Sequence, residues 1–217
     1  MGRFINADDV DFLGATGTIV SFNTFSYCDN DFVNSFDYSG NKIVALPYTG
    51  GCLDRIVYDV PLYKQYNWKL CRAFCQIMVE SYYKNEKLSN WVASNRAIKL
   101  SIDKKGSWWI RTWNSGDWPT NIGNSLGIPS NISQLKNWLI IYGPLYGYYV
   151  HTDGGAHLIV ITGVDAKNNI VYTNNPWGIK GEQSFNDFKK GFVEKKKGNS
   201  FITIKDYHLS KVYIAKR

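Results

Sequence analysis

One helix-forming segment followed by a series of strand-forming segments constrains the fold of this 217-residue chain more than any other feature. In the segment CRAFCQIMVESYY, one helical face would be formed by Phe74, Ile77, Met78, Ser81 and Tyr82. That spacing predicts a helix that begins at Cys71 and turns one face to the core. A second helix is predicted at SQLKNWLIIYG, capped by Ser133 and ended by Gly143.

Most strand-forming segments follow the second helix. They are LIVITGVD, IVYTN, SFITIKD and KVYIA, with a short helix predicted at SFNDFKKGF. The stretch from Leu88 to Pro129 mixes tryptophans with turn-forming residues, and we predict that it is irregular. Helices before strands indicate an α+β domain whose two halves face each other.

The first 56 residues differ in composition from the rest of the chain. Asn, Asp, Gly, Ser and Thr separate short apolar runs such as TIVSF and KIVAL, which predict short strands and turns. We therefore divide the chain into an N-terminal extension, residues 1–56, and a main domain, residues 57–217. The extension could be a pro-segment, an added β layer or a partner-binding surface.

Charge, apolar runs and cysteines exclude several classes of protein. The formal net charge is +7, but the basic residues are scattered, so we expect no nucleic-acid partner. No apolar run reaches the ~18 residues of a membrane span, and we expect a soluble monomer, with secretion or export after signal removal left open. Four cysteines without a CxxC pair indicate no disulfide scaffold, metal or cofactor, although a Cys28–Cys52 bridge stays open.

Cys71 is the first candidate for chemistry. A thiol at a helix N-terminus lies near unpaired backbone N–H groups, which favour the thiolate. Attack of that thiolate on a carbonyl creates an oxyanion, for which the backbone N–H of Cys71 and the side-chain amide of Gln65 are candidate donors. Gln65 alone would more often be a loop residue in a turn. Cys75, one helical turn on, is interpreted as a small core residue.

His157 is the best candidate for a base among the three histidines, because a glycine-flanked apolar strand would hold its ring rigidly. His151 and His208 are interpreted as structural or exposed. At the end of the next strand, NNPWG offers the amide oxygen of Asn175 to orient the imidazole, and the indole of Trp177 to cover that bond. A simple Asn-Pro turn beside a buried tryptophan is the alternative.

The order Q-x5-C-x-A-F, then AH before an apolar strand, then NPWG resembles the papain-like cysteine peptidases. The lead-in VPLYKQ, the helix ending SYY and the GPL before the histidine look most similar to the compact bacterial branch that includes bacteriocin leader peptidases. The resemblance covers about residues 56–192. It implies a papain-like α+β fold, with the nucleophile at a central helix N-terminus packed against an antiparallel β half that carries the histidine and asparagine.

The resemblance also implies roles and a substrate class. Cys71 would attack, His157 would be the base, Asn175 would orient it and Gln65 would stabilise the oxyanion, on a protein or peptide substrate. In the bacterial branch an aspartate often stands where Asn175 is. Arg72 follows the nucleophile where an uncharged residue is usual, and Trp68 replaces a disulfide cysteine.

Two other functions use the same features. A transglutaminase-like enzyme or an acyltransferase has the same Cys, His and polar order, and differs in passing the acyl group to an amine or another acceptor. A non-catalytic binding module would keep the fold and display its tryptophans. The module is disfavoured because all four catalytic positions are filled.

Overall fold

The structure is a computed structural model, and it describes residues 35–36, 44–45, 54–66, 70–101 and 119–216. The chain divides into two compact units, Met1–Leu53 and Asp54–Arg217. The division into an N-terminal extension, residues 1–56, and a main domain, residues 57–217, stays a prediction, as does a separate role for the extension. The Cys28–Cys52 bridge and Trp68 fall outside the described residues, as do Trp108, Trp109, Trp113 and Trp118.

In the first unit the structure describes two short strands, β1 (Ser35–Phe36) and β2 (Val44–Ala45). They pair in antiparallel orientation, with Ser35 opposite Ala45 and Phe36 opposite Val44. The strand β2 lies within the run KIVAL, where the sequence predicts a strand.

Four helices are described in the second unit: α1 (Cys71–Tyr83), α2 (Asn90–Ser101), α3 (Ile132–Tyr142) and α4 (Phe185–Lys190). The start of α1 at Cys71 is confirmed. Four residues of the predicted inner face are buried, Phe74, Ile77, Met78 and Ser81, and the fifth, Tyr82, is partly buried against the same cluster. Within the described part of the chain, no helix has the length and apolar character needed to cross a membrane.

The described strands of the second unit are β3 (Arg55–Val57), β4 (Ile122–Gly127), β5 (Leu145–His151), β6 (Ala156–Asp165), β7 (Ile170–Asn175), β8 (Ile179–Ser184), β9 (Phe192–Lys197), β10 (Ser200–Ile204) and β11 (Tyr207–Ala215). Seven of them form one antiparallel sheet in the order β4-β11-β5-β6-β7-β8, with β3 paired to β6. The strands β9 and β10 form a separate antiparallel hairpin.

The central strand β6 contributes to the core on both of its faces. Leu158 and Val160 belong to the cluster that includes the buried face of α1. Ile159 and Ile161 belong to the second cluster, with residues of α3 and α4. Successive strand residues point to opposite faces, so this alternation places the sheet between two helical layers and confirms the α+β class.

Two sequence predictions about secondary structure are wrong. The stretch from Leu88 to Pro129 contains α2 and β4. The weak signal of α2 has a physical cause, because its fully buried side chains are the small Ala93 and Ala97. The N-cap of α3 is Asn131, whose side chain accepts a hydrogen bond from the Gln134 N–H, and Ser133 lies inside the first turn.

Candidate active site

Cys71 is the first residue of α1, and only 6% of it is exposed. Its N-terminal neighbour Leu70 provides no side-chain cap for the first-turn N–H groups. These N–H groups and the positive end of the helix dipole therefore lie beside the sulfur.

Two thiols of α1, those of Cys71 and Cys75, contact the backbone of Leu158 on β6. The Leu158 N–H lies within hydrogen-bonding reach of the Cys71 sulfur, and its carbonyl oxygen accepts a bond from Cys75 Sγ at 3.2 Å. The two cysteines are one helical turn apart, so both meet the same edge of β6. The Cys71 sulfur consequently lies next to the residue that follows His157. Cys75 is fully buried, as its interpretation as a core residue requires.

His157 is buried on β6, where two aromatic rings pack against its imidazole. Its ring centroid lies 4.8 Å from that of Trp177 and 4.6 Å from that of Phe192. Trp177 therefore contacts the imidazole, whereas no pattern in the sequence indicates Phe192, which begins β9 35 residues further along the chain. These rings restrict the imidazole and exclude water from its edge.

Asn175 ends β7 and fixes the tautomer of His157. Its Oδ1 lies 2.9 Å from His157 Nε2 and also accepts the backbone N–H of Trp177 at 3.1 Å. Its Nδ2 donates to the carbonyl oxygen of Val193 at 2.9 Å, which sets the orientation of the amide. Because Oδ1 can only accept, Nε2 of His157 must carry the proton, and Nδ1 is left as the basic nitrogen.

Burial acts in opposite directions on the two titrating groups. It lowers the pKa of His157 to about 4, and the bond to Asn175 opposes this only in part. Burial also raises the pKa of Cys71, despite opposing contributions from the Leu158 backbone, the Arg72 charge and the N–H groups at the helix start. The N–H groups at the helix start lower the pKa of Cys71, as the sequence predicts, but desolvation outweighs them. Taken group by group, burial favours the neutral form of both the thiol and the imidazole.

Gln65 is also buried, and it lies close to the turn that carries Asn175. Its backbone N–H donates to the carbonyl oxygen of Pro176 at 2.7 Å. Its side-chain Oε1 is buried and has no hydrogen-bond partner among the described residues. Since residues 67–69 are not described, the convergence of Gln65 and Cys71 stays a prediction.

An open pocket of about 450 Å³ borders His157, and it is lined by His151, Asp153, Gly154, Gly155, Ala156, His157, Trp177 and Tyr207. The sequence interpretation that His151 lacks an immobilising strand is wrong, because His151 is the last residue of β5. Its Nδ1 accepts the Asp153 N–H at 3.0 Å, and its ring lies 4.7 Å from that of Tyr207. His208 is exposed on β11, as expected.

An α+β fold in which a helix-start cysteine packs against a histidine-bearing strand is that of the papain-like cysteine peptidases, which are hydrolases acting on proteins. The family model for papain-like cysteine protease AvrRpt2 matches residues 54–192, well over half of the chain. The chain belongs to this family. The match begins where the second unit begins, at Asp54.

A solved structure from a study of the mite allergens Blo t 1 and Der p 1 is 15% identical to this chain. It covers 78% of this chain and 73% of its own, with a TM-score of 0.36, too low to support an argument. No curated protein sequence shows significant similarity to the chain. The resemblance to bacteriocin leader peptidases within the superfamily stays a prediction.

The low pKa of His157 predicts a pH-dependent stability. In the unfolded chain the imidazole has its ordinary pKa of 6.5, and in the folded protein burial lowers that pKa to about 4. Between these values the unfolded chain binds the extra proton, so we expect the free energy of unfolding to fall as the pH is lowered from about 6.5 to about 4. The full window corresponds to about 3 kcal/mol.

Urea denaturation of the wild type and of His157→Gln at pH 7 and pH 4.5 measures this effect. The wild type should lose more stability between the two pH values than the variant does. Equal losses in the two proteins would contradict the low pKa of His157.

Proposed function

We propose that the protein hydrolyses peptide bonds with Cys71 as nucleophile, His157 as base, Asn175 as the residue that orients the base, and Gln65 as an oxyanion donor. The observation that carries this proposal is the buried 2.9 Å bond between His157 Nε2 and Asn175 Oδ1. It leaves Nδ1 available, one residue away from the backbone N–H that contacts the Cys71 sulfur. A buried imidazole with one nitrogen held and the other free suits proton transfer better than it suits packing.

The neutral resting pair determines the first chemical step. As Cys71 Sγ attacks the carbonyl carbon, Nδ1 of His157 takes the thiol proton, and the electron pair of the C=O bond moves to the oxygen. The C–N bond then breaks, and the imidazolium gives its proton to the leaving amine. The thioester that remains is hydrolysed by water, with His157 again acting as base. The bond to Asn175 stabilises the transient imidazolium.

The oxyanion needs donors that are not already used in the free protein. The backbone N–H of Cys71 is one, because first-turn N–H groups have no partner inside the helix. We assign the side-chain NH₂ group of Gln65 as the second donor, because burial restricts the position of this side chain. Donors positioned in advance stabilise the charge without reorganisation during the reaction.

The pocket of about 450 Å³ is assigned to the leaving side of the substrate. His157 lines it, whereas neither Cys71 nor Gln65 does. The leaving amine must be near His157 to receive its proton, so the residues after the cleaved bond would enter this pocket. The rest of the substrate would lie on the side of Cys71 and Gln65.

Hydrolysis and acyl transfer differ only in what attacks the thioester. We therefore propose a mass-spectrometric analysis of products from a peptide library, with and without a primary amine in excess. Free carboxylate products in both samples support a peptidase that acts on peptides. Predominant amide products with the amine would favour the acyltransferase alternative, and the absence of any product or acyl-enzyme would favour a binding module.

Gln65→Ala provides a further test of the oxyanion assignment. We expect kcat to fall by about 10²–10³-fold with little change in KM, because the donor acts on charge that exists only in the transition state. Alkylation of Cys71 by iodoacetamide builds no oxyanion and should keep its rate. A raised KM with unchanged kcat would instead make Gln65 a binding residue.

A further inference from the structure

The turn after β7 contacts the segment that carries Gln65 at two separate points. We name residues Val60–Gln65 the glutamine segment and residues Asn174–Gly178 the NNPWG turn. At one end of the segment, Asn174 Nδ2 donates to the carbonyl oxygen of Val60 at 2.8 Å. At the other end, the Gln65 N–H donates to the Pro176 oxygen at 2.7 Å. The segment is therefore held to the turn at both ends.

The side chains of the two asparagines in the turn, Asn174 and Asn175, point in opposite directions. Successive residues of a strand point to opposite faces, and Asn174 and Asn175 are the last two residues of β7. Asn175 thus reaches His157 and Val193, while Asn174 reaches Val60. Both side chains are at least 98% buried, so neither bond is exchanged freely with water.

A third contact brings the same two parts of the chain close together. Gly178 has φ +88°, and a Cβ at this position would lie 3.0 Å from Cγ of Lys64, the residue before Gln65. The turn therefore lies in close contact with the Lys64 side chain, and the positive φ at Gly178 favours glycine there.

We propose that Asn174 is a positioning residue for Gln65. Its bond fixes the start of the glutamine segment, and the bond to Pro176 fixes the end, so the amide of Gln65 is presented at one place. The β7 terminus then aligns both halves of the catalytic apparatus: Asn175 aligns the base and Asn174 aligns the oxyanion donor. This inference rests on the proposed roles of Cys71 and Gln65.

The variant Asn174→Asp keeps the shape of the side chain but replaces the donor with an oxygen that faces the Val60 carbonyl. We expect kcat to fall by about 10-fold or more with KM nearly unchanged, since small displacements of a catalytic group cost this much. The rate of Cys71 alkylation by iodoacetamide should not change, because the pair of His157 and Asn175 is untouched. If Asn174→Asp does not fold, Asn174→Ser, which keeps a shorter donor, is measured in its place.

A double-mutant cycle separates positioning from a general effect on folding. If Asn174 acts through Gln65, adding Asn174→Asp to Gln65→Ala should lower kcat by no more than about 2-fold further. Two effects that multiply would overturn the inference, as would an equal fall in the alkylation rate. The matched control is Asn168→Ala, which removes a side chain bonded to Asp165 at the far end of the β6–β7 hairpin and should leave kcat unchanged.

The same measurements distinguish the failure of this inference from the failure of the proposed function. If Cys71→Ala retained activity, the proposed function itself would be wrong, whatever Asn174 does. If Cys71→Ala is inactive and the two effects multiply, only the positioning role of Asn174 is overturned.

Discussion

Replacing Cys71 with alanine is expected to lower peptide hydrolysis by at least about 10⁴-fold, because the thioester cannot form without the Cys71 sulfur and the other described thiol, Cys75, is fully buried. The substitution should not disturb the fold. Cys71 packs at the start of α1 with 6% exposure, and removing one sulfur there leaves only a small cavity. Thermal unfolding should therefore remain cooperative, while steady-state hydrolysis of a peptide substrate disappears.

Cys75→Ser is the matched control for the nucleophile. It keeps a donor for the carbonyl oxygen of Leu158, which Cys75 contacts at 3.2 Å, and it should retain most of the activity. A peptide-based electrophile should modify Cys71 and leave the fully buried Cys75 unmodified. Equal loss of activity in both variants would show that the wrong thiol had been chosen.

His157→Gln has the second largest expected effect. We expect kcat to fall by about 10³-fold or more, because the resting thiol has a raised pKa and cannot lose its proton without a base. The loss should be smaller above pH 9, where hydroxide can generate the thiolate. The measurement is kcat against pH for the wild type and the variant.

The other two histidines supply the controls. His208 is exposed on β11, and His208→Ala should have wild-type kinetics. His151 lines the pocket, but its Nδ1 is occupied by the Asp153 N–H, so His151→Ala should preserve kcat and alter KM at most. If His151→Ala lost as much kcat as His157→Gln, the assignment of His157 on β6 as the base would be wrong.

The elements with a strong local pattern could be predicted from the sequence, and the start of α1 at Cys71 is the clearest case. The predicted burial of Phe74, Ile77, Met78 and Ser81 is confirmed, although burial in this central helix extends well beyond the predicted face. The helix α2 has polar residues around two small alanines, and this leaves almost no periodic signal. The strand β5, LYGYYVH, is buried on both faces for most of its length, so it lacks the alternation that predicts a strand.

The residues of the candidate site also divide into those that the sequence could predict and those that it could not. Gln65, Cys71, His157 and Asn175 stand in recognisable local patterns, and the sequence is sufficient to nominate them. Phe192, the Val193 carbonyl and the Leu158 backbone meet them only through tertiary packing, and no spacing encodes these contacts. The raised pKa of Cys71 could not be foreseen either, because it depends on how completely the surrounding side chains exclude water.

The neutral pair of Cys71 and His157 has a consequence for the chemical durability of the protein. Peroxides and simple electrophiles react with thiolates far faster than with thiols. A protonated sulfur with 6% exposure offers them little, so the cysteine resists oxidation between encounters with substrate. In the proposed mechanism a substrate overcomes this protection, because its carbonyl lies beside the sulfur while the imidazole takes the thiol proton.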